Sequence, residues 1–266
     1  MTYTQILVES HFEGKLIVLA LNQPESYNSL SSTMLSELKS AIMEAGKNEV
    51  VRCIAIRGEG KAFCSGQNLK EALSFGDIKK DRTVQRFIIE YYNPLVKEVV
   101  QCKKPVVALV NGLAVGAGAA LAMICDFSLS SESAYFSLAF GKIGLIPDTA
   151  ATYFLPKLVG RQMANYLAFT GKKISSMEAL HLGLTQEVFR DDEFEEKSFV
   201  VLETLCQMPT KALGLTRKAI DDSFDNKLKE QLDLEGILQQ SAAETDDFTE
   251  GVRAFIEKRS PKFTGN

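Results

Sequence analysis

Two histidines, His11 and His181, are all that this sequence offers of the side chain most used for proton transfer near neutral pH, and neither sits in a nucleophile or metal motif. The patterns G-x-S-x-G and H-E-x-x-H are absent, which removes the signatures of a triad hydrolase and of a zinc protease. Cysteine is scarce as well. Cys53, Cys64, Cys102, Cys125 and Cys206 form an odd set without C-x-x-C spacing, most of them in apolar surroundings, so they read as reduced residues, with no metal site expected. Cys64 has no His partner in a recognisable context and reads as a packed thiol. Basic residues are not in excess: 30 Lys and Arg stand against 34 Asp and Glu, a formal charge of −4, which gives no electrostatic reason to expect nucleic acid or an anionic membrane as partner. No apolar run approaches the ~18 residues of a membrane span. The opening MTYTQILVES lacks a basic stretch followed by an apolar one, and the final FTGN is not a peroxisomal signal. A cytoplasmic protein is expected.

What is present is enough for a full core, with 266 residues of which 45% are hydrophobic. Lys15 to Leu21 and Val50 to Arg57 are short β-branched runs. Between them Ser32 to Ala45 carries Met34, Leu35, Leu38 and Ile42 on one helical face, with Gly46 as the expected stop. The alternation repeats with a strand at Val106 to Val110, a helix after Gly118 and a strand at Phe127 to Ser130, which predicts an α/β fold. Beyond Met208 strand patterns vanish. Leu234, Ile237 and Leu238, then Phe248, Val252, Phe255 and Ile256, mark amphipathic helices, the last opening on Asp246 and Asp247 and closing on Lys258 and Arg259.

The stretch from Lys104 to Asp126, KPVVALVNGLAVGAGAALAMICD, carries the most information. A β-branched run breaks at Asn111-Gly112, passes a turn of small residues at Gly116, Ala117 and Gly118, and enters an apolar helix. Unpaired backbone N–H groups and the positive end of a helix dipole then face whatever occupies the turn. Two readings stand, an oxyanion site or a buried helix packed closely through its glycines. A dinucleotide loop is disfavoured because no third glycine follows at G-x-G-x-x-G spacing, and a phosphate-binding P-loop is excluded by the missing Gly-Lys-Ser/Thr. A second glycine loop, KAFCSGQNLKEA (Lys61 to Ala72), follows a strand. Asp148 ends FGKIGLIPD, where Lys142 is the nearest cation in sequence. Held against Leu145 and Ile146, its carboxyl is expected to titrate above the ordinary range, as a general base requires; a loop or capping Asp is the other reading.

Three segments together resemble the enoyl-CoA hydratase/isomerase, or crotonase, superfamily: Lys61 to Ala72, Asn111 to Asp126, and Phe140 to Gly160. GKKISSMEALHLGLTQEV (171 to 188) and the terminal EGVRAFIEKRSPKF extend the likeness over nearly the whole chain. The resemblance implies a spiral of ββα units over 1–205 and a helical trimerisation region over 206–266, giving a homotrimer or a dimer of trimers. It also implies an acyl-CoA thioester as substrate and no cofactor beyond that CoA. It places the oxyanion donors at the amides of Gln67 and Ala117, where side-chain identity is expected to matter only sterically. Substrate and CoA contacts fall by position at Ala62, Cys64, Ser65, Gly66, Asn68, Leu69, Lys70, Gly116 and Phe140. Lys262 and Phe263 mark the region from which the family closes the CoA pocket of a neighbouring subunit. Phe75, Phe87 and Tyr91 wall the acyl pocket or pack in a helical core.

The sequence also departs from the family pattern. Ala120 and Phe140 occupy the positions of the two hydratase glutamates, Asn68 replaces an Asp, and Ala150-Ala151 replaces a Gly-Gly pair. Asp148 stands where isomerase branches carry a carboxylate, in a loop resembling F-x-K-x-G-L-x-P-D of ring-epoxide phenylacetyl-CoA isomerases. The implied activity is a double-bond shift from 3-enoyl-CoA to 2-enoyl-CoA with Asp148 as the base and no hydration. The alternatives are isomerisation of a ring epoxide to an oxepin and a silent acyl-CoA-binding subunit.

Overall fold

The β-branched runs lie in the larger of two sheets in a computed structural model, which describes residues 3–72, 74 and 76–266. The larger sheet holds β1 (Ile6–His11), β2 (Leu16–Leu21), β3 (Cys53–Gly58), β5 (Val106–Val110), β7 (Phe127–Ser131) and β10 (Glu187–Phe189), in that order. The smaller holds β4 (Ala62–Cys64), β6 (Leu113–Val115), β8 (Tyr135–Ser137) and β9 (Ile174–Ser175). Among the described residues only β1 against β2 and β9 against β8 run antiparallel. The chain passes from β3 to β4, from β5 to β6 and from β7 to β8; after the first two pairs it returns through helical structure to the larger sheet, and after the third it adds β9 to the smaller sheet before β10 rejoins the larger. This is the expected α/β spiral of ββα turns.

Parallel strands are buried on both faces, and β5 is buried at all five positions. The period of two sorts its side chains. Ile54, Ile56, Val106, Ala108 and Val110 face the core beneath the Ser32–Lys47, Asn93–Gln101 and Ala117–Ile124 helices. Cys53, Ala55, Val107 and Leu109 face the opposite cluster, closed by Leu202 and Cys206 of the Phe194–Gln207 helix.

Gly46 does not stop the first helix. The helix runs to Lys47, and the amide of Asn48 bonds back to Ala45 and Glu44. Lys104 Nζ donates to the carbonyl of Ala45 at 3.1 Å and to that of Asn48, closing the end that the sequence assigned to glycine. From Thr210 onward the described residues form the helices Thr210–Ser223, Leu228–Ala243 and Asp246–Glu257, with no strand. Leu228, Leu232, Ile237, Phe248, Val252, Phe255 and Ile256 remain exposed on them. Asp247 does more than complement a dipole. Its buried carboxylate accepts from the amides of Thr264 at 2.6 Å and Gly265 at 2.7 Å, tying down the C-terminal segment. Among the described residues no helix is long and apolar enough to cross a membrane.

Candidate active site

The three segments singled out in the sequence meet because β4, β6 and β8 are parallel neighbours, pairing Ala62 with Leu113 and Val115 with Ser137. Their carboxyl ends leave the sheet at one edge, as ligand sites of parallel sheets do. Ser65-Gly66-Gln67 follows β4, Gly116-Ala117 follows β6, and the loop to Asp148 follows β8.

Two glycines shape the first two loops. Gly66 has φ +92, and a Cβ there would lie 2.7 Å from the carbonyl oxygen of Val115. Gly116 has φ +56 and ψ −124, backbone that L side chains rarely adopt, and it opens the Ala117–Ile124 helix. The hydrogen bonds orient what remains. Leu30 donates to Gly66 O at 2.7 Å and accepts from Asn68 N at 2.9 Å, so the intervening Gln67 amide faces away from Leu30. Gly66 N is taken by Cys64 Sγ at 3.4 Å. Among the described residues, neither Gln67 N–H nor Ala117 N–H donates to another group of the protein. The Ala117 amide also lies at the positive end of its helix.

Both residues line a cavity of about 250 Å³ with Ser65, Gly66, Leu69, Gly116, Phe140 and Asp148. Phe87 lines it too, while Ala62, Cys64, Asn68 and Lys70 lie outside its wall. Ala62 and Cys64 are buried in β4, and complete burial pushes the Cys64 thiol up to about 12, which keeps it protonated. Asn68 accepts from Glu71 N at 3.2 Å and so caps the short Leu69–Ala72 helix, a role that the Asp it replaces would fill equally. Lys70 is exposed. Lys262 N donates to Glu250 at 2.8 Å, and the ring of Phe263 lies beside Gly251 of the same chain. Of the hydratase positions, Phe140 fills part of the wall and Ala120 is wholly buried outside it.

Asp148 is the only charged side chain lining the cavity among the described residues. Burial raises its pKa above the ordinary carboxylate value, and a 3.0 Å bond from Thr149 Oγ1 opposes part of that rise. No ion pair joins it to Lys142, whose chain instead runs beside Gly171. The backbone turns sharply after Asp148: Thr149 has φ +53 and Ala150 φ +60 before the Ala151–Val159 helix begins. Ala150 thus takes the left-handed conformation suited to the glycine it replaces, at a cost of about 1–2 kcal/mol.

Two polar wall residues escaped the sequence reading. Tyr92, not Tyr91, lines the cavity with Phe87. Residues Ile88–Tyr92 form a π-helical turn, whose extra residue brings Tyr92 to the cavity wall while Tyr91 stays packed against Phe87. Tyr91 stacks on Phe87 with centroids 4.8 Å apart. Phe75 lies outside the described residues. Thr83 also lines the wall, and among the described residues its hydroxyl has no hydrogen-bond partner. Turn-shifted and isolated hydroxyls of this kind leave no periodic signal.

Known proteins resemble the chain throughout. The sequence model of the enoyl-CoA hydratase/isomerase family matches residues 11–266. A 1,2-epoxyphenylacetyl-CoA isomerase of Escherichia coli is 37% identical over 256 residues, covering 96% of this chain and 97% of its own. A protein of Rhodobacter capsulatus named as a probable enoyl-CoA hydratase is 39% identical over 265 residues, 100% of both chains. In structure, an enoyl-CoA hydratase from Bacillus anthracis superposes with a TM-score of 0.93 at 31% identity, covering 99% of this chain and 100% of that one.

Proposed function

Since the chain belongs to the enoyl-CoA hydratase/isomerase (crotonase) family, we propose that it is an acyl-CoA isomerase that moves a proton with one carboxylate, Asp148. The observation that carries this reading is the composition of the cavity wall, in which a single, buried carboxylate accompanies the residues of two unpaired backbone amides. Hydration needs a second group to activate water. In this reading Ala120 and Phe140 supply none.

The thioester oxygen of a 3-enoyl-CoA accepts from Gln67 N–H and Ala117 N–H. Asp148 takes a proton from the α carbon, and the C–H electron pair passes into a dienolate whose negative charge rests on that oxygen. The γ carbon then receives the proton from Asp148. The 3,4 double bond becomes a 2,3 double bond and the carboxylate is regenerated, so no cofactor or water is consumed. Fixed donors aimed at the developing charge do most of the stabilising in such a step. A base whose pKa lies above the ordinary carboxylate value is better matched to a weak carbon acid. Lys70 lies, in this reading, near the CoA adenosine and phosphates, and the assembly is a trimer or a dimer of trimers.

A second reading, isomerisation of a ring-epoxide acyl-CoA, is favoured by the relative of that activity at 37% identity. Spectroscopic assay of a panel of 3-enoyl-CoA, 2-enoyl-CoA and epoxidised phenylacetyl-CoA thioesters separates the two. Turnover of the 3-enoyl thioesters supports the double-bond shift, turnover confined to the ring epoxide supports the second reading, and binding without any turnover contradicts both.

A further inference from the structure

Gly66, at φ +92, gives the loop its conformation, and Leu30 bonds the backbone on either side of Gln67, through Gly66 O and Asn68 N. Two hydrogen bonds hold the Gln67 side chain. Its Oε1 accepts from Tyr92 Oη at 2.7 Å, and its Nε2 donates to Asn68 O at 3.3 Å. The first is the stronger anchor, since Tyr92 is only 2% exposed and its ring packs on Phe87 with centroids 5.8 Å apart. The hydroxyl reaches the loop because the π-helical turn Ile88–Tyr92 brings it onto the cavity face. Burial and the neighbouring Asp148 both hold the phenol protonated, so it remains a donor throughout the working pH range. Side-chain identity at Gln67 is therefore more than a steric matter.

We propose that Tyr92 is a positioning residue, which clamps Gln67 Oε1 and thereby aims the Gln67 amide at the thioester oxygen. It acts through Gln67 and touches neither the proton in transfer nor the base. The proposal rests on the oxyanion role assigned to Gln67 above. A donor misaimed by a fraction of an ångström loses much of its hold on the oxyanion while the ground-state thioester binds almost as before, so the loss falls on kcat and not on KM.

A double-mutant cycle tests this. Tyr92→Phe removes the donor and keeps the ring; Gln67→Met keeps the length of the side chain and removes the acceptor. Each single variant is expected to lower kcat about tenfold on a 3-enoyl-CoA, with KM and the pH midpoint unchanged. The double variant is expected to be no slower than either single one. Retention of full kcat by Tyr92→Phe overturns the proposal, as does a tenfold loss from Tyr92→Phe that recurs undiminished in the Gln67→Met background. Hydrogen exchange of the 65–69 segment gives a readout free of turnover. Faster exchange of its bonded amides in Tyr92→Phe supports the clamp, and unchanged exchange overturns it. If the unmodified protein turns over no thioester, the functional reading fails while exchange still decides the role of Tyr92.

Discussion

The Thr149 hydroxyl donates a 3.0 Å hydrogen bond to Asp148 Oδ1, from a backbone position at φ +53 that a β-branched residue rarely adopts. The side chain next to the proposed base is thus held against its own conformational preference, and it favours the ionised form of that base. Thr149→Val keeps the shape and removes the donor. The pKa of Asp148 then rises further, and the acidic limb of the activity profile moves to higher pH. Activity on the acidic limb falls while the plateau at higher pH persists. A profile of kcat/KM against pH reads this directly, and an unmoved or lowered midpoint contradicts it.

Gly66→Ala places a methyl 2.7 Å from the Val115 carbonyl oxygen on backbone at φ +92. The loop must shift, and the Gln67 amide with it. Loss of one oxyanion donor lowers kcat by roughly 10²–10³. Strain of about 1–3 kcal/mol lowers the melting temperature by several degrees. Retention of kcat in a destabilised variant would separate the Gln67 amide from catalysis.

Hydration of crotonyl-CoA is expected to be negligible beside isomerisation, because Ala120 and Phe140 cannot activate water. Absorbance loss of the conjugated thioester measures it. Comparable rates for the two reactions contradict the single-carboxylate account. Restoring glutamate at 120 and 140 need not create a hydratase, since Phe140 already fills part of the cavity wall.

Phe255 is 85% exposed and Ile256 72% in the single chain, on the same helix as Phe248 and Val252. Apolar faces of this extent are expected to be covered by other copies of the chain. Light scattering should show a trimer or a multiple of three at micromolar concentration, and Phe255→Glu with Ile256→Glu should weaken it. An active, stable monomer rules out assembly as a requirement of the site.

Much of this arrangement was legible in the sequence because it rests on features that leave a pattern. Strands β2, β3 and β5 announced themselves as β-branched runs, the two glycine loops through Gly66 and Gly116, and Asp148 as a carboxylate in an apolar loop. Gly46 misled because the helix end is closed by Lys104, which is remote in sequence. Tyr92 was hidden by a π-helical turn, which breaks the period on which face assignments depend. Asn68 and Ala150 show a third kind of limit. Each departs from its family's usual residue, yet one still caps its helix and the other still takes left-handed backbone, so substitution alone did not foretell a change of shape.

Asp148→Asn examined in heavy water tests the central claim most directly. The variant keeps shape and polarity and removes the base. Because burial raises the folded-state pKa of Asp148, its stabilising contribution is present at low pH and is lost as pH rises through that pKa. The neutral amide should therefore melt no lower than the unmodified protein at pH 7, which separates lost chemistry from lost fold. In the unmodified protein, deuterium should enter the α and γ carbons of a 3-enoyl-CoA to the extent that the Asp148 carboxyl exchanges its proton with solvent before returning it, and activity should rise with pH through a midpoint above the ordinary carboxylate value. In Asp148→Asn the thioester should still bind while turnover and deuterium entry both fall by at least ~10²-fold. Near-native turnover in the variant, or deuterium entry undiminished in it, would reduce Asp148 to a residue of the loop and contradict the mechanism.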